Sequence, residues 1–481
     1  MLFRACLHFL LFYTALASLS GVFDVRDFGA IGDGILHNNT AAINAAIAAA
    51  SEYYLATNNI GIVLIVDGTY FSGRIVLLSG VTLSISHGAV LSASSDYSDY
   101  TDENGVIQFQ FVHSSYVHDI EISGGGVIEG NYQNFIDGFS EEDDKFSPGH
   151  MWPQCEGEEC RPKLVVLENT QNILIKNITF QNSPDWTFHL VNCSYVHVVD
   201  WTQYGDERWP NNDAIDIDSS SHVLVENSQI NTADDGVCIK GGVVGAEVFN
   251  VTVRNTKIRS RSSAIKFGSN CPIPMHDLLF EDIDIWDSNR GLAIQARDGG
   301  RISDVTFRRI SILGTRYWPW AWWGEGSPIY ISTMLRSSDA DPGTQVNNIT
   351  FSDIFAISQN AAILSGISPG LPVDGVLLSN VTIVITRLPG WNYSTTSDPS
   401  IPPNIDYEPT SAIDPIRKDL TGWMPGLLVE TVKNLVLSNV SVLFKGAKQS
   451  YWGTECFNFT AAGYDVTTSN IKCEYDYNYK Q

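Results

Sequence analysis

From residue 163 onward, short runs of β-branched and apolar residues alternate with polar ones, and each run is interrupted by Asn, Ser, Asp or Gly. Residues 172–180, 195–200, 222–230, 248–258 and 276–285 carry the pattern, which continues at 302–312, 347–354, 373–383 and 432–442. The runs return after roughly 23 to 28 residues, with longer insertions before the last few, and a period of that size marks a solenoid. Alternation with a period of two predicts strands, and after the N-terminal region no long segment has helical spacing. A β-sandwich also has many short strands, but at a spacing of about 8 to 12 residues and without a higher-order repeat. The expected fold is therefore all-β, a parallel β-helix with roughly three short strands per coil. Asn recurs within the runs and suits left-handed bends between strands.

One helical stretch is predicted, at 39–54, with Ile43, Ala46, Ile47 and Ala50 on one face and Asn39 or Thr40 as its cap. Such a helix is expected to cover the open end of the stack, where the last strands lack partners. Residues 1–20 carry an early Arg4, an apolar run and then small residues, so they read as a secretory signal peptide. No later apolar run reaches the roughly 18 residues of a membrane span. The expectation is a secreted chain with one β-helix domain over 21–481, interrupted by a Pro- and Asp-rich inserted loop at 391–423, and acting as a monomer.

A formal charge of −25 argues against nucleic acid as a partner. It neither supports nor excludes an anionic polysaccharide, since a basic groove can sit in an acidic shell. Of the eight cysteines, seven follow Cys6, so at least one stays unpaired; Cys155 with Cys160 and Cys456 with Cys473 are the expected bridges. Glycosylation sequons begin at Asn38, Asn177, Asn192, Asn250, Asn348, Asn380, Asn392, Asn439 and Asn458, several of them inside predicted strands. No metal-ligand spacing stands out, and no cofactor is expected.

Candidate chemistry is concentrated in two segments, 210–218 and 232–240, where Asp213 and Asp234 lie about one coil apart. A parallel stack sets neighbouring rungs about 4.8 Å apart, so Asp213, Asp234 and Asp235 can converge. Convergent carboxylates raise at least one pKa, and the resulting acid beside a base is what glycoside hydrolysis needs. A polar ladder without chemistry gives the same spacing.

These segments resemble glycoside hydrolase family 28, the polygalacturonase family, whose signatures run N-T-D, D-D, G-H-G and R-I-K. Asn211-Asn212-Asp213 matches the first at two of three positions, and Asp234-Asp235 matches the second. The segments 24–34 and 182–189, the latter preceded by Arg161-Pro162, also look like the family. The resemblance implies a single-stranded right-handed parallel β-helix of the pectin-lyase-like kind, and a pectic polysaccharide as substrate. It implies Asp234 as general acid, with Asp213 and Asp235 positioning and deprotonating water in an inverting reaction.

Two motifs depart from the family. Ser262-Ser263-Ala264 stands where G-H-G is expected, and Ala293 and Gln295 stand where R-I-K would supply two cations. These departures point toward a pectic chain other than plain polygalacturonate. Lys240 and Lys266 either bind substrate acid groups or pair internally with the aspartates. Arg290 and Arg297 flank the altered motif and either restore carboxylate binding or are solvated. Asn211, His189 and Gln295 complete the expected binding residues. The aromatic segment 317–325 is either a cleft wall for sugar rings or packing over the solenoid. A pectate or pectin lyase and an inactive carbohydrate-binding β-helix are the competing readings.

Overall fold

The computed structural model describes residues 20–102, 104–139, 151–155, 160–316, 326–333, 343–366, 368, 370–388, 424–448, 452–459 and 465–477. Residues 1–19 of the expected signal peptide 1–20, the aromatic segment 317–325, the expected inserted loop 391–423 and the sequon at Asn392 lie outside the described residues. Chain contacts gather into two compact units, Met1–Ile136 with Pro153–Tyr204, and Asp137–Trp152 with Gly205–Gln481.

In the first unit every strand pairing that positions the core is parallel. One ladder runs from Val22–Asp24 through Gly61–Ile65, Val81–Ile85, His118–Ser123 and Gln171–Gln181 to Ser194–Tyr204. A second runs from Gly68–Ser72 through Ala89–Ala93 and Val127–Glu129, and it rejoins Gln171–Gln181. The third joins Ile75–Val76, Gln110–Ser115, Lys163–Glu168 and Phe188–Val191. Successive coils therefore stack rung on rung, as the repeat predicts.

The expected helix spans Thr40–Thr57 and buries Ile43, Ala46, Ile47 and Ala50. Asn39 stands at its N-cap position but does not cap with its side chain. Its amide instead ties the preceding loop together through Ile31, His37 and Phe71, while Asn38 Oδ1 accepts from the Thr40 backbone N–H at 2.9 Å.

In the second unit each coil after Ser263 offers one short and one long strand. The short ladder runs Ile215–Asp218, Val237–Lys240, Ser263–Phe267, Arg290–Ala296, Ile329–Thr333, Ala362–Ser365, Leu427–Glu430 and Phe457–Phe459. The long ladder runs Val248–Ser260, Pro274–Ser288, Arg301–Thr315, Gln345–Ser358, Val373–Thr386, Val432–Lys445 and Val466–Asp476. Two of the expected three strands thus run together. The bend between them is a single left-handed residue on each rung, at Asn255, Asp282, Arg309, Asp353, Asn380, Asn439 and Asn470. Asn and Asp tolerate that conformation, and their side chains bond up the stack, Asn380 to Asp353 at 2.6 Å, Asn439 to Asn380 at 2.9 Å and Asn470 to Asn439 at 2.8 Å. Two expected sequons, Asn380 and Asn439, are committed to this ladder.

Inside the stack, Phe280, Phe307 and Phe351 face one another at 5.0 Å between ring centroids. Phe267 meets Phe280 edge-on at 5.7 Å, which fixes its strand so that the alternating neighbour, Lys266, points out of the core. Phe307→Ala removes the middle ring and leaves a cavity. It is expected to cost about 3–5 kcal/mol, read as a lower denaturation midpoint with an unchanged slope in urea unfolding of the intact protein.

Candidate active site

The candidate residues lie in the second unit, at the turns leading into Ile215–Asp218 and Val237–Lys240. Asn212 joins these turns. Its Oδ1 accepts from Thr232 Oγ1 at 2.8 Å, Ala233 N at 2.9 Å and Asp234 N at 3.1 Å, and its Nδ2 donates to the Asp206 carbonyl at 3.0 Å. The Ala214 N–H donates to the Asp235 carbonyl at 2.9 Å. Gly236 follows because a Cβ there would lie 2.5 Å from the Ala264 carbonyl oxygen.

With the turns locked in this way, one oxygen from each of Asp213, Asp234 and Asp235 lies within 4.8 Å of the others. All three side chains are buried, yet each keeps a trace of exposure, 3%, 6% and 1% in that order. Lys240 Nζ lies 3.3 Å from Asp213 Oδ2 and 2.7 Å from Asp216 Oδ1. Lys266 Nζ donates to Asp235 Oδ2 at 2.8 Å, and Ser262 Oγ donates to Oδ1 of the same carboxylate at 2.9 Å. The ion pairs of both lysines thus go to Asp213, Asp216 and Asp235 and not to Asp234. Asp234 instead accepts from the Asp235 backbone N–H at 2.9 Å, and its carbonyl accepts from Ser260 Oγ at 2.6 Å.

This asymmetry separates the groups electrically. Burial, reinforced by the charges of Asp213 and Asp235, pushes the Asp234 carboxyl well above the ordinary carboxylate range. Burial also raises Asp213, against the opposing effect of Lys240. Asp216 is raised well above its usual value by burial, again opposed by Lys240. Burial alone would depress Lys240, but Asp216 and Asp213 outweigh it, so the ammonium is held charged. Burial likewise works against Lys266, and Asp235 outweighs it.

Two sets of side chains here are close enough to hold a cation, the three aspartates and Asp213 with Asp216 and Cys238. Lys240 already pairs with Asp213 and Asp216, and Lys266 with Asp235, so a cation at either set would compete with an ammonium group for its carboxylates.

The remaining expected residues fall in different places. Arg290 and Gln295 lie on the short ladder and Arg297 just beyond it, all three buried. The Arg290 guanidinium sits 4.4 Å over the Tyr330 ring, and the Arg297 backbone N–H points at Cys271 Sγ at 2.9 Å. Neither arginine is a solvated surface group. Asn211 is in the left-handed conformation, and it is its neighbour Asn212 that ties the two turns. His189 lies in the first unit, on Phe188–Val191.

Register sets a cation beside one of the two altered motif positions, Ala293. Asp216, Cys238, Lys266, Ala293 and Tyr330 form one outward column across successive rungs. Lys266 is the cation of that column, one rung before Ala293. Sequence reasoning missed Asp216 as the main partner of Lys240. It also missed the pairing of Arg259 and Arg261 with Glu207 and Asp287 beside Ser260 and Ser262. The Ile-Asp-Ile-Asp alternation at 215–218 was the available signal for Asp216.

Residues 64–388 match the family model described as glycosyl hydrolases family 28. The chain belongs to that family. It is 27% identical over 397 residues to a probable polygalacturonase of Vitis vinifera, covering 77% of this chain and 76% of that protein. It is 26% identical over 434 residues to a polygalacturonase of Chamaecyparis obtusa, covering 86% and 73% respectively. A solved hyperthermoactive exopolygalacturonase from Thermotoga maritima matches with a TM-score of 0.60 and 19% identity, over 76% of this chain and 87% of that one. That likeness carries the fold, a right-handed parallel β-helix, as expected from the repeat and the resemblance. The two expected disulfides are formed, Cys155–Cys160 and Cys456–Cys473, while Cys193, Cys238 and Cys271 are free and buried. No helix of the described residues is long and apolar enough to cross a membrane.

Proposed function

We propose that this chain is a secreted family 28 hydrolase of a pectic, galacturonate-containing polysaccharide, and that it works by inversion. The observation that carries this reading is the unequal pairing of the three carboxylates. Asp234, raised by burial and by two like charges, gives its proton to the glycosidic oxygen as the bond to C1 breaks. Asp213 and Asp235 orient a water between them and take its proton as its oxygen bonds to C1. Hydrogen bonds of about 2.8 Å to two oxygens let one water bridge a gap of this size. The polygalacturonases among the relatives supply the substrate class, and the lysine one rung from Ala293, paired with Asp235, offsets part of the site's negative charge toward a uronate.

A second reading has one specific support. Inverting pairs are commonly about 6.5–9.5 Å apart and retaining pairs about 5–5.5 Å, and the convergence within 4.8 Å lies nearer the second class. In that reading Asp213 or Asp235 attacks C1 directly.

Purified protein incubated with polygalacturonate, rhamnogalacturonan and xylogalacturonan is expected to release reducing ends without ultraviolet absorbance. Proton NMR of the first product should show the inverted anomer. Early appearance of the retained anomer would replace the water mechanism by the nucleophilic one. Unsaturated ends would mean a lyase, and no release from any polymer would leave a binding protein.

A further inference from the structure

The turns that carry the aspartates are held by a link one coil further on, between Val248–Ser260 and Ser263–Phe267. Ser260 and Ser262 stand two residues apart there, both buried. Ser260 Oγ donates to the Asp234 carbonyl at 2.6 Å and accepts from the Ser262 backbone N–H at 2.9 Å. Ser262 Oγ donates to Asp235 Oδ1 at 2.9 Å. One link therefore grips the backbone of the first aspartate of the pair and the carboxylate of the second. The link is pinned in turn. The Arg290 backbone N–H donates to the Ser262 carbonyl at 2.8 Å. Arg261, between the two serines, pairs with Asp287 at 3.4 Å and with Glu207, on the loop that leads into Asn212 and Asp213.

Ser263, the next residue, is placed differently. It shares the inward parity of Ile265 and Phe267, and its buried hydroxyl has no hydrogen-bond partner among the described residues. Of the two serines at the altered third motif, only Ser262 reaches a carboxylate.

Asp235 is thereby held on both oxygens, by Ser262 at Oδ1 and by the Lys266 ammonium at Oδ2 at 2.8 Å. A carboxylate has about four lone-pair sites, so each oxygen can still accept a hydrogen bond from a water and set its direction. Asp213 is held on one side only. Lys240 donates to its Oδ2 at 3.3 Å, and its Oδ1 has no partner among the described residues. A water bonded to Asp235 can pass its proton to this open oxygen, whereas either oxygen of Asp235 would receive that proton beside a donor hydrogen already in place.

We propose that Ser262 is a positioning residue: its hydroxyl, opposite the Lys266 ammonium, fixes Asp235 as the acceptor that aims the water, and the water's proton passes to Asp213. The water oxygen bonds to C1 as the glycosidic C–O bond breaks, and the electron pair of that bond leaves with the oxygen that Asp234 protonates. The role rests on the inverting hydrolase reading above and narrows the part shared there by Asp213 and Asp235.

The test compares single variants of the full chain on polygalacturonate, rhamnogalacturonan or xylogalacturonan, whichever the parent cleaves, with kcat and KM measured separately. Ser262→Ala is expected to lower kcat about tenfold to thirtyfold. KM should change by less than about twofold, because the aim of the water matters in the transition state and not in substrate binding. Ser263→Ala removes a buried hydroxyl from the neighbouring position without touching a carboxylate, and should leave both constants within about twofold of the parent. Ser262→Thr keeps the hydroxyl and should bring kcat back to within about threefold. Should the added methyl group prevent folding, Ser262→Cys, similar in shape but a weak donor, is expected to fall between the alanine variant and the parent. The destination of the proton is read with azide, a nucleophile that needs no base. Azide should speed Asp213→Asn at least about tenfold and Asp235→Asn by less than about twofold. Equal kcat values for Ser262→Ala and Ser263→Ala, or a loss carried by KM, overturn the role of Ser262. Azide rescue of Asp235→Asn in place of Asp213→Asn overturns the assignment of the proton. A parent that cleaves none of the three polymers overturns the hydrolase reading and this role together.

Discussion

Asp234→Asn is expected to lower kcat on the pectic substrate about a thousandfold while making the protein more resistant to heat. The two effects share one cause. Asp234 is buried beside two other carboxylates, so its proton is held more tightly in the folded chain than in the unfolded one. A carboxyl whose folded pKa lies above its unfolded value, near 3.9, is most favourable to folding at low pH. Its contribution is lost as pH rises from that value through the folded pKa. Asn keeps the shape and has no proton to lose. The variant should therefore match the parent near pH 4 and exceed it at pH 7 by roughly 1–3 °C in Tm. Scanning calorimetry at both pH values, beside kcat and KM, checks the pair of effects. KM should move little, because the proton transfer exists only in the transition state. Retention of more than about a tenth of kcat would remove Asp234 from the role of acid.

How much of this was open to sequence reasoning depends on whether a feature is local or a matter of register. The repeat near 25 residues and the alternation at 172–180 or 248–258 are local, and they sufficed for parallel stacking. Asp213 and Asp234 could be placed on neighbouring rungs because one coil separates them. The number of strands per coil was less accessible, because a left-handed Asn or Asp bends the backbone without ending the ladder on either side of it. Asn211 and Asn212 look alike in a motif, and only the meeting of two turns shows that Asn212 holds both. The partners of the two lysines were out of reach for the same reason. Lys240 is registered against Asp218, but its ammonium reaches across to Asp213 and Asp216, a diagonal set by side-chain length rather than by sequence distance. The binding expectation and the internal-pair expectation for these lysines are also less opposed than they look. An ammonium that neutralises a catalytic carboxylate still contributes its field to the substrate's acid group.

That double role makes Lys240 the second decisive position. Lys240→Met leaves Asp213 and Asp216 buried without their shared ammonium, and breaking one side of a buried pair costs about 3–5 kcal/mol. Burial already raises Asp213, and Lys240 is the largest influence holding it down, ahead of Lys266; Asp235 pushes the other way. With Lys240 gone the Asp213 carboxyl rises further. A base must be ionised to accept the water's proton, so the acidic limb of kcat/KM should move up by about one pH unit. Activity is then lost most severely at low pH and recovers in part as pH increases. Stability runs the opposite way. A carboxyl with a raised folded pKa supports folding below its unfolded value and loses that support as pH rises, so the variant's deficit in Tm should be smallest near pH 4 and widen toward neutrality. Lys240→Arg keeps the charge and should bring the limb back toward that of the parent. A fall in Tm with an unmoved limb would mean that Lys240 only fills and neutralises the interior; a shifted limb, restored by arginine, makes it the group that keeps the base ready for water.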